Sequence, residues 1–261
     1  MRSEVVDDMH DPQEGVTPDG LIRTGAARDA IASTWLSVLQ AATDAVAGQV
    51  SWHVYGPVAT GCAVVGRSDV DLLCVGLPAP KAERISIDLS TRFSEMCREV
   101  TIAPAGWEGL EAEGDEAHGL RVFLRHYCVH LAGDDPARDL PAFPADERAA
   151  RGFNGDIARH LQQWQKDAEG DADPALLATR IARKTLLAVA GLVSIRDVTW
   201  TTDRRASARR WGQLEPGVPV DTLVDWLDTP TRDQAEIHRI LERLVADVVQ
   251  RFRSEVGLWH P

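Results

Sequence analysis

Two aspartates separated by one residue have the spacing most suggestive of chemistry in this sequence. Asp69 and Asp71 flank Val70 at the start of the apolar run 70–75, VDLLCV. A β-strand directs alternate side chains to the same face, so both carboxylates are expected on one side of a sheet. Two carboxylates are costly to bury unless a cation offsets their charge, and their oxygens suit Mg²⁺. The pair predicts a magnesium site; the alternative is a solvent-facing acidic pair on an edge strand.

A third carboxylate in a neighbouring strand would complete such a site. Glu99 lies in the β-prone segment 98–102, REVTI. Together with Asp69 and Asp71 it could bind the metal, orient a nucleoside triphosphate and deprotonate an attacking hydroxyl. We therefore assign all three acids as catalytic residues and metal ligands. For Glu99 taken alone, an exposed strand glutamate is the competing interpretation.

The segments around these acids alternate between the two kinds of secondary structure. Strand-like runs separated by helical periodicity are typical of an α/β sheet, so residues 25–140 are predicted to form an α/β domain. Residues 1–24 combine acid, Gly and Pro without periodicity and predict a flexible tail. The predicted elements are a helix over 25–47, a strand over 50–55, a short helix within 56–68, a strand over 70–75, a helix over 81–97 and a strand over 98–102.

The sequence changes character at the turn-rich segment 134–144, DDPARDLPAFP. Beyond it helical periodicity dominates, so residues 141–261 are predicted to form an all-α domain after the mixed sheet of the first. Proline at position 174 suits the first turn of a helix, where its missing N–H is not needed. The predicted helices cover 156–166, 174–195, 204–211, 220–227 and 233–253.

The overall composition excludes some classes of protein. The chain has 261 residues and a formal charge of −12, which argues against a protein that coats nucleic acid or anionic membrane. No stretch approaches the roughly 18 apolar residues of a membrane span, and the N-terminus lacks the apolar core of a signal peptide. Without any C-x-x-C pair, the cysteines match neither a zinc site nor a disulfide scaffold. We expect a soluble, cytoplasmic protein with free thiols at Cys62, Cys74, Cys97 and Cys128.

The residues around the two aspartates resemble the nucleotidyltransferase superfamily, which has the polymerase-β-like fold. The family pattern is Gly-Ser, about ten residues and then Asp-x-Asp, and Tyr55-Gly56 and the segment 66–73, GRSDVDLL, are similar to it. Within the superfamily the chain most resembles bacterial aminoglycoside adenylyltransferases of the streptomycin/spectinomycin group. That group has its catalytic glutamate in a Glu-Val-Thr strand, as in Glu99-Val100-Thr101. The resemblance implies Mg²⁺ as cofactor and ATP or another NTP as co-substrate, with Gly56 and Ser68 contacting the nucleotide.

The chain departs from the family at Gly56-Pro57, where the family has Gly-Ser. Proline offers a phosphate neither a hydroxyl nor a backbone N–H. Gly56 still permits close approach of the backbone, and Pro57 is suited to begin the following short helix. The departure leaves open a non-catalytic nucleotide-binding protein as an alternative.

A basic segment in the helical half offers a counterpart to the triphosphate. Residues 180–210 carry a net charge of +6 within a chain of −12. From composition alone, a solvated basic surface is the alternative. The resemblance adds a spacing, W-x8-D-x9-R, which Trp164, Asp173 and Arg183 reproduce. It implies that the tryptophan and aspartate contact the acceptor and that the arginine contacts the triphosphate.

A further cation is implied by the K-x5-W spacing of the same group. Arg205 precedes Trp211 at that distance, with arginine in place of lysine. The connection before it is longer than in the family, so Arg204 is an equivalent candidate. Arginine would bind phosphate through a planar fork rather than a point charge. In this interpretation the helical domain clamps the nucleotide and the acceptor.

The resemblance thus implies transfer of a nucleoside monophosphate to a hydroxyl of an aminoglycoside or related aminocyclitol, with release of pyrophosphate. The expected partners are an NTP and a small cationic acceptor. The acidic segment 108–116 could attract such an acceptor, but a solvated acidic loop is the favoured interpretation. Nucleic acid and membrane are not expected as partners, and the chain is expected to be a monomer or homodimer. The alternatives are an enzyme of natural-product biosynthesis or of protein or tRNA modification. His126 and His130 lack the glutamate of a zinc-protease motif and are interpreted as structural.

Overall fold

The computed structural model describes residues 11–46 and 48–259. They divide into two compact units. The first contains 11–14, 22–112 and 120–143, and the second contains 15–21, 113–119 and 144–259. The main division at 143/144 lies close to the predicted boundary at 140/141. Segments 15–21 and 113–119 belong to the second unit although the first unit surrounds them in sequence. They were not predicted, because the residues they pack against are distant in sequence.

The first unit is built on a four-stranded mixed sheet. Its strands lie in the order β5 (Val100–Ala105), β4 (Val70–Val75), β3 (Ser51–Tyr55) and β6 (Val129–Ala132). Strands β4 and β5 are parallel, and the other two pairs are antiparallel. The strands predicted at 50–55, 70–75 and 98–102 are confirmed, although the last begins two residues later and continues to Ala105. The chain contains the short strands β1 (Gly15–Val16) and β2 (Ile22–Arg23) and the sheet strands β3 (Ser51–Tyr55), β4 (Val70–Val75), β5 (Val100–Ala105) and β6 (Val129–Ala132).

Helices cover both faces of this sheet. One face packs its alternating apolar residues, among them Trp52, Leu72 and Val100, against the first three helices. The other face carries a smaller cluster around Leu73 and Val75 against later helices. Each face is therefore closed by apolar packing. The helices of this part of the chain are α1 (Leu36–Asp44), α2 (Gly56–Thr60), α3 (Ala79–Arg92), α4 (Trp107–Glu111) and α5 (Asp115–His126), the last shared between the two units.

The helix predicted over 25–47 is shorter than expected. Two 3-10 turns, Arg28–Ala30 and Ser33–Trp35, come first, and α1 begins only at Leu36. The residues that precede these turns, Ala27 and Ala32, have extended backbone angles. Ala27 also donates its N–H to the Ala59 carbonyl (3.1 Å), a tertiary bond that competes with helix formation.

The second unit is helical and is organised around one long helix. α8 has apolar residues on every side, as a central helix must, and packs against all the other helices of this unit that follow residue 144. Asp173 and Pro174 begin it as the sequence predicts. The helices are α6 (Glu147–Asn154), α7 (Ile157–Glu169), α8 (Pro174–Asp197), α9 (Arg204–Leu214), α10 (Asp221–Asp228), α11 (Gln234–Ile240) and α12 (Ala246–Glu255), with a π-helical turn at Leu241–Val245.

In the segment predicted as a flexible tail, residues 11–24 contain β1 and β2 and make hydrogen bonds, and residues 1–10 lie outside the described residues. The carboxylate of Asp11 accepts hydrogen bonds from the N–H groups of Gln13 (2.9 Å) and Gly25 (2.6 Å). The Tyr127 hydroxyl donates to the Glu14 carboxylate (2.6 Å). These polar contacts fix the segment without any apolar periodicity that the sequence could reveal.

In the described part of the chain, no helix combines the length and apolarity needed to cross a membrane. The four cysteines are free, as expected.

Candidate active site

The three predicted acids lie at one end of the two parallel strands. The register pairs Val70 with Val100 and Asp71 with Thr101, and the Val70 N–H donates to the Glu99 carbonyl (2.9 Å). Continuing this register by one residue aligns Asp69 with Glu99. Register partners and alternate residues share a face of a sheet. The structure therefore places Asp69, Asp71 and Glu99 at the amino ends of the two parallel strands β4 and β5.

The motif glycine lies against the second aspartate. Tyr55, the last residue of β3, is the register partner of Asp71, so Gly56 follows at the same end of the sheet. Gly56 has φ +67, and a Cβ atom there would lie 2.7 Å from Asp71 Oδ2. Only glycine tolerates both this left-handed backbone and so close an approach. Burial, and secondarily the charge of Asp71, raise the pKa of the Tyr55 hydroxyl, which therefore stays protonated beside the carboxylate.

An arginine that the sequence interpretation did not include pairs with the first aspartate. Arg98 Nε donates to Asp69 Oδ1 (2.9 Å), and its Nη2 donates to the other carboxylate oxygen. This side-chain hydrogen bond is the main cause of the raised pKa of Arg98; burial is the second and opposes it, and the charges of Asp69, Glu99 and Asp71 add smaller increases. The guanidinium is therefore a counter-ion for all three acids. The available signal was a cation placed directly before Glu99.

Asp69, Asp71 and Glu99 offer the oxygen ligands that Mg²⁺ requires, but they do not form a preformed metal site. Within 11–46 and 48–259, no three His, Cys, Asp or Glu side chains are grouped closely enough to hold a metal. Asp69 and Asp71 are half-buried, whereas Glu99 is exposed, and their carboxylate oxygens suit a hard cation. Both oxygens of Asp69, however, accept hydrogen bonds from Arg98. The residues fit magnesium, and one of them is already occupied by an internal cation.

The loop before β4 is held by its own polar groups. Ser68 is fully buried, and its hydroxyl accepts a hydrogen bond from the Val64 N–H (2.9 Å). The Gly66 N–H donates to the Met96 carbonyl (2.7 Å), which ties the loop to the segment before β5. Ser68 thus positions the approach to Asp69, and its buried hydroxyl is not presented at the surface. Pro57 lies in the first turn of α2, as expected.

In the second unit, the residues proposed to contact an acceptor have structural roles. Trp164 on α7 is only 3% exposed, and its ring stacks on His160 at 5.3 Å. Asp173 caps α8, where it accepts from the Leu176 N–H (3.0 Å), and it pairs with Arg232 (3.7 Å). The Leu176 hydrogen bond is the main cause that lowers the pKa of Asp173. Asp173 remains accessible, whereas Trp164 presents little surface.

The three predicted phosphate-binding cations lie on α8 and α9. Arg183 on α8 is exposed, and the half-buried Arg204 on α9 donates from its Nε to the Arg183 backbone carbonyl (3.0 Å). Arg205, also half-buried, pairs with Asp228 on α10 (2.6 Å). Arg183 and Arg204 therefore lie together where α8 meets α9.

The two histidines interpreted as structural belong to the first unit, and both lie against neighbouring groups. His126 Nε2 accepts a hydrogen bond from the Phe143 N–H (2.8 Å), and the rings of His130 and His53 meet edge to face at 5.2 Å. Burial is the main cause that lowers the pKa values of His53 and His126 to about 4. His53 and His130 also line a cavity of about 270 Å³ together with Leu124, Arg125, Cys128, Asp135, Ala137 and Arg138.

Comparison of the chain with known proteins identifies no family to which it belongs. No protein-family model matches the chain, and no curated protein matches it.

Proposed function

We propose that this chain is a magnesium-dependent nucleotidyltransferase that moves a nucleoside monophosphate, AMP from ATP, to a hydroxyl of a small cationic acceptor. The acceptor class that the sequence resemblance favours is an aminoglycoside or related aminocyclitol. The observation that carries the proposal is the contact of Gly56 with the Asp71 carboxylate, at the end of the sheet where Asp69 and Glu99 also lie. A glycine backbone at this position leaves room for a phosphate next to metal-binding carboxylates.

The proposed reaction is a single displacement at the α-phosphorus. The acceptor hydroxyl oxygen forms the new bond to phosphorus as the bond to pyrophosphate breaks. Glu99, the exposed member of the acidic group, accepts the proton of that hydroxyl. Asp69 and Asp71 would hold Mg²⁺, which supplies charge neutralisation and orientation for the triphosphate when it is bound. Positioning and electrostatic stabilisation account for most of the catalysis in such chemistry.

Residues of the helical unit contribute binding groups in this proposal. Arg183 and Arg204 are adjacent cations on α8 and α9 and would neutralise phosphate oxygens through charge-assisted hydrogen bonds. Arg205 would have to exchange Asp228 for phosphate to take the same role. Among the acceptor-binding candidates, the accessible carboxylate of Asp173 suits an amino group better than buried Trp164 does.

A second candidate function is a nucleotide-binding protein without turnover. It is favoured by the pairing of Arg98 with Asp69 and by the replacement of the family serine with Pro57. Both features weaken metal and triphosphate binding at the same end of the sheet. The two candidates differ in one measurable property, the release of pyrophosphate.

The test is a pyrophosphate-release assay with the full chain, Mg²⁺ and each of the four NTPs across a panel of aminoglycosides and aminocyclitols. We expect release with ATP and at least one acceptor. The change Glu99→Gln should reduce turnover by about 100-fold or more, since a positioned base contributes roughly 10²–10⁴-fold. Glu95→Gln is the matched control, because Glu95 is an exposed glutamate in the segment before β5. Nucleotide binding without release in any combination would support the second candidate.

A further inference from the structure

The acidic group of the first unit contains its own cation. Asp69, Asp71 and Glu99 lie at one end of the sheet, and neighbouring like charges disfavour one another. Arg98 directly precedes Glu99 in the chain, and its two guanidinium nitrogens engage both oxygens of Asp69. The side chain of Asp69 is 24% exposed and that of Arg98 is 59% exposed. The arginine therefore approaches from the solvent side and covers a carboxylate that lies deeper.

The backbone keeps this arginine at the site. The Arg98 N–H donates to the Ser68 carbonyl (3.1 Å), and the next bond of the ladder runs from Val70 N–H to the Glu99 carbonyl (2.9 Å). Arg98 is thus fixed directly beside the residue that precedes Asp69, and only its long side chain is free to leave. A planar guanidinium on a carboxylate uses the same two oxygens that a metal ion would need.

Resting on the proposed function, we propose that Arg98 is an internal counter-ion that occupies Asp69 in the metal-free protein and must leave it before a divalent cation can bind. The arginine compensates the repulsion among the acids when metal is absent, and it competes with the metal for Asp69. Two opposite effects follow from one residue: removal of its charge should strengthen metal binding and weaken the metal-free fold.

The test is direct titration of the full chain with Mn²⁺, followed by the paramagnetic resonance signal of free Mn²⁺, with no nucleotide present. Arg98→Gln should bind Mn²⁺ roughly two- to fivefold more tightly than the unchanged protein, the range expected for loss of one partly exposed ion pair. Arg84→Gln on α3, an exposed arginine, removes the same charge elsewhere and should leave the affinity unchanged. Asp69→Asn should abolish the binding in both backgrounds.

The second measurement is the melting temperature with EDTA and with saturating Mg²⁺. Arg98→Gln should melt at a lower temperature than the unchanged protein in EDTA and should gain more from added metal. Equal or weaker Mn²⁺ binding by Arg98→Gln, with binding still lost in Asp69→Asn, would overturn the counter-ion role and leave the proposed function intact. Absence of Mn²⁺ binding in every variant would overturn both.

Discussion

Gly56 and Asp71 are in contact at the end of the sheet: a Cβ atom on the glycine would lie 2.7 Å from Asp71 Oδ2. The two residues are fifteen positions apart, and the antiparallel register of β3 with β4 brings them together. The same register fixes Tyr55 beside Asp71. Glycine is therefore required at position 56 for two reasons, the left-handed backbone angle and the closeness of the Asp71 carboxylate.

The change Gly56→Ala separates these two requirements when it is compared with Gly66→Ala. Both glycines have a left-handed backbone, φ +67 and φ +75, but no atom lies within 4 Å of a Cβ at Gly66. Gly66→Ala should lower the free energy of unfolding by about 1–2 kcal/mol through strain alone. Gly56→Ala should cost more and should also displace Asp71. Urea unfolding measures the first effect and pyrophosphate release the second; equal losses in both variants would show that the Asp71 contact is unimportant.

The buried histidine pair predicts a loss of stability in mild acid. Burial is the main cause that holds the pKa of His53 near 4, and the neighbouring His130 lowers it further against the opposing effect of Asp135. The unfolded chain binds that proton near pH 6.5, so it binds more protons than the native state between pH 6.5 and 4. Stability is retained above pH 6.5 and falls as the pH drops towards 4, by at most about 3 kcal/mol for His53.

Denaturant unfolding at pH 7.0, 6.0, 5.0 and 4.5 measures this dependence. His53→Gln should flatten the curve, because the side chain no longer titrates, while lowering stability at pH 7 through loss of the Ser51–His53 hydrogen bond (2.9 Å). An unaltered slope in His53→Gln would assign the acid sensitivity to His126, whose pKa is also lowered to about 4.

Two glycines in the second unit are predicted to respond to alanine with opposite signs. A Cβ at Gly119 on α5 would lie 2.4 Å from the carbonyl oxygen of Gly152 on α6, so the two helices touch through their backbones. Gly119→Ala should force them apart and lower the free energy of unfolding by about 1–3 kcal/mol. Gly212→Ala on α9 meets nothing within 4 Å and should stabilise the helix by up to about 1 kcal/mol. Thermal or urea unfolding of both variants measures these changes. The prediction is contradicted if the two variants change the free energy of unfolding in the same direction.

A charged cluster around Trp211 predicts a selective effect of one arginine. Arg196 pairs with Glu215 (2.7 Å) and Glu255 (2.6 Å), and its guanidinium lies 5.0 Å from the centre of the buried Trp211 ring. Arg196→Ala should lower the free energy of unfolding by about 1–3 kcal/mol, because charge-assisted hydrogen bonds and the ring contact are lost together. Urea unfolding provides the measurement.

Arg210 offers the matched control for Arg196. It pairs with the half-buried Asp197 at the end of α8 through two hydrogen bonds, and it makes no ring contact with Trp211 among the described residues. Arg210→Ala should therefore lower the free energy of unfolding by less than Arg196→Ala, because it loses an ion pair and no ring contact. Similar losses in both variants would show that the cluster around Trp211 has no special importance.

Much of the local structure could be predicted from the sequence. The apolar run at 70–75 and the Asp173-Pro174 helix start are short-range signals, and the structure has β4 and α8 there. The elements that the sequence analysis did not predict are β1, β2, β6, α4, α5 and α6. Among them α5 and α6 have apolar residues at the helical period, a signal that was present in the sequence and was missed. The strands β1, β2 and β6 have at most four residues each, too few for a period to be read.

The sequence by itself determined which residue types are available for chemistry: two aspartates two positions apart, a glutamate before a β-prone run, and basic residues on two successive helices. Only the tertiary structure decided their neighbours. Strand register pairs Asp71 with Tyr55, so that Gly56 lies against the Asp71 carboxylate, and the pairing of β4 with β5 brings Arg98 to Asp69 across 29 residues. It also buried Trp164 and Ser68, whose motif positions suggested contact with ligands. The physical reason is that residue spacing fixes the face on which a side chain lies, whereas packing between distant segments fixes what it meets.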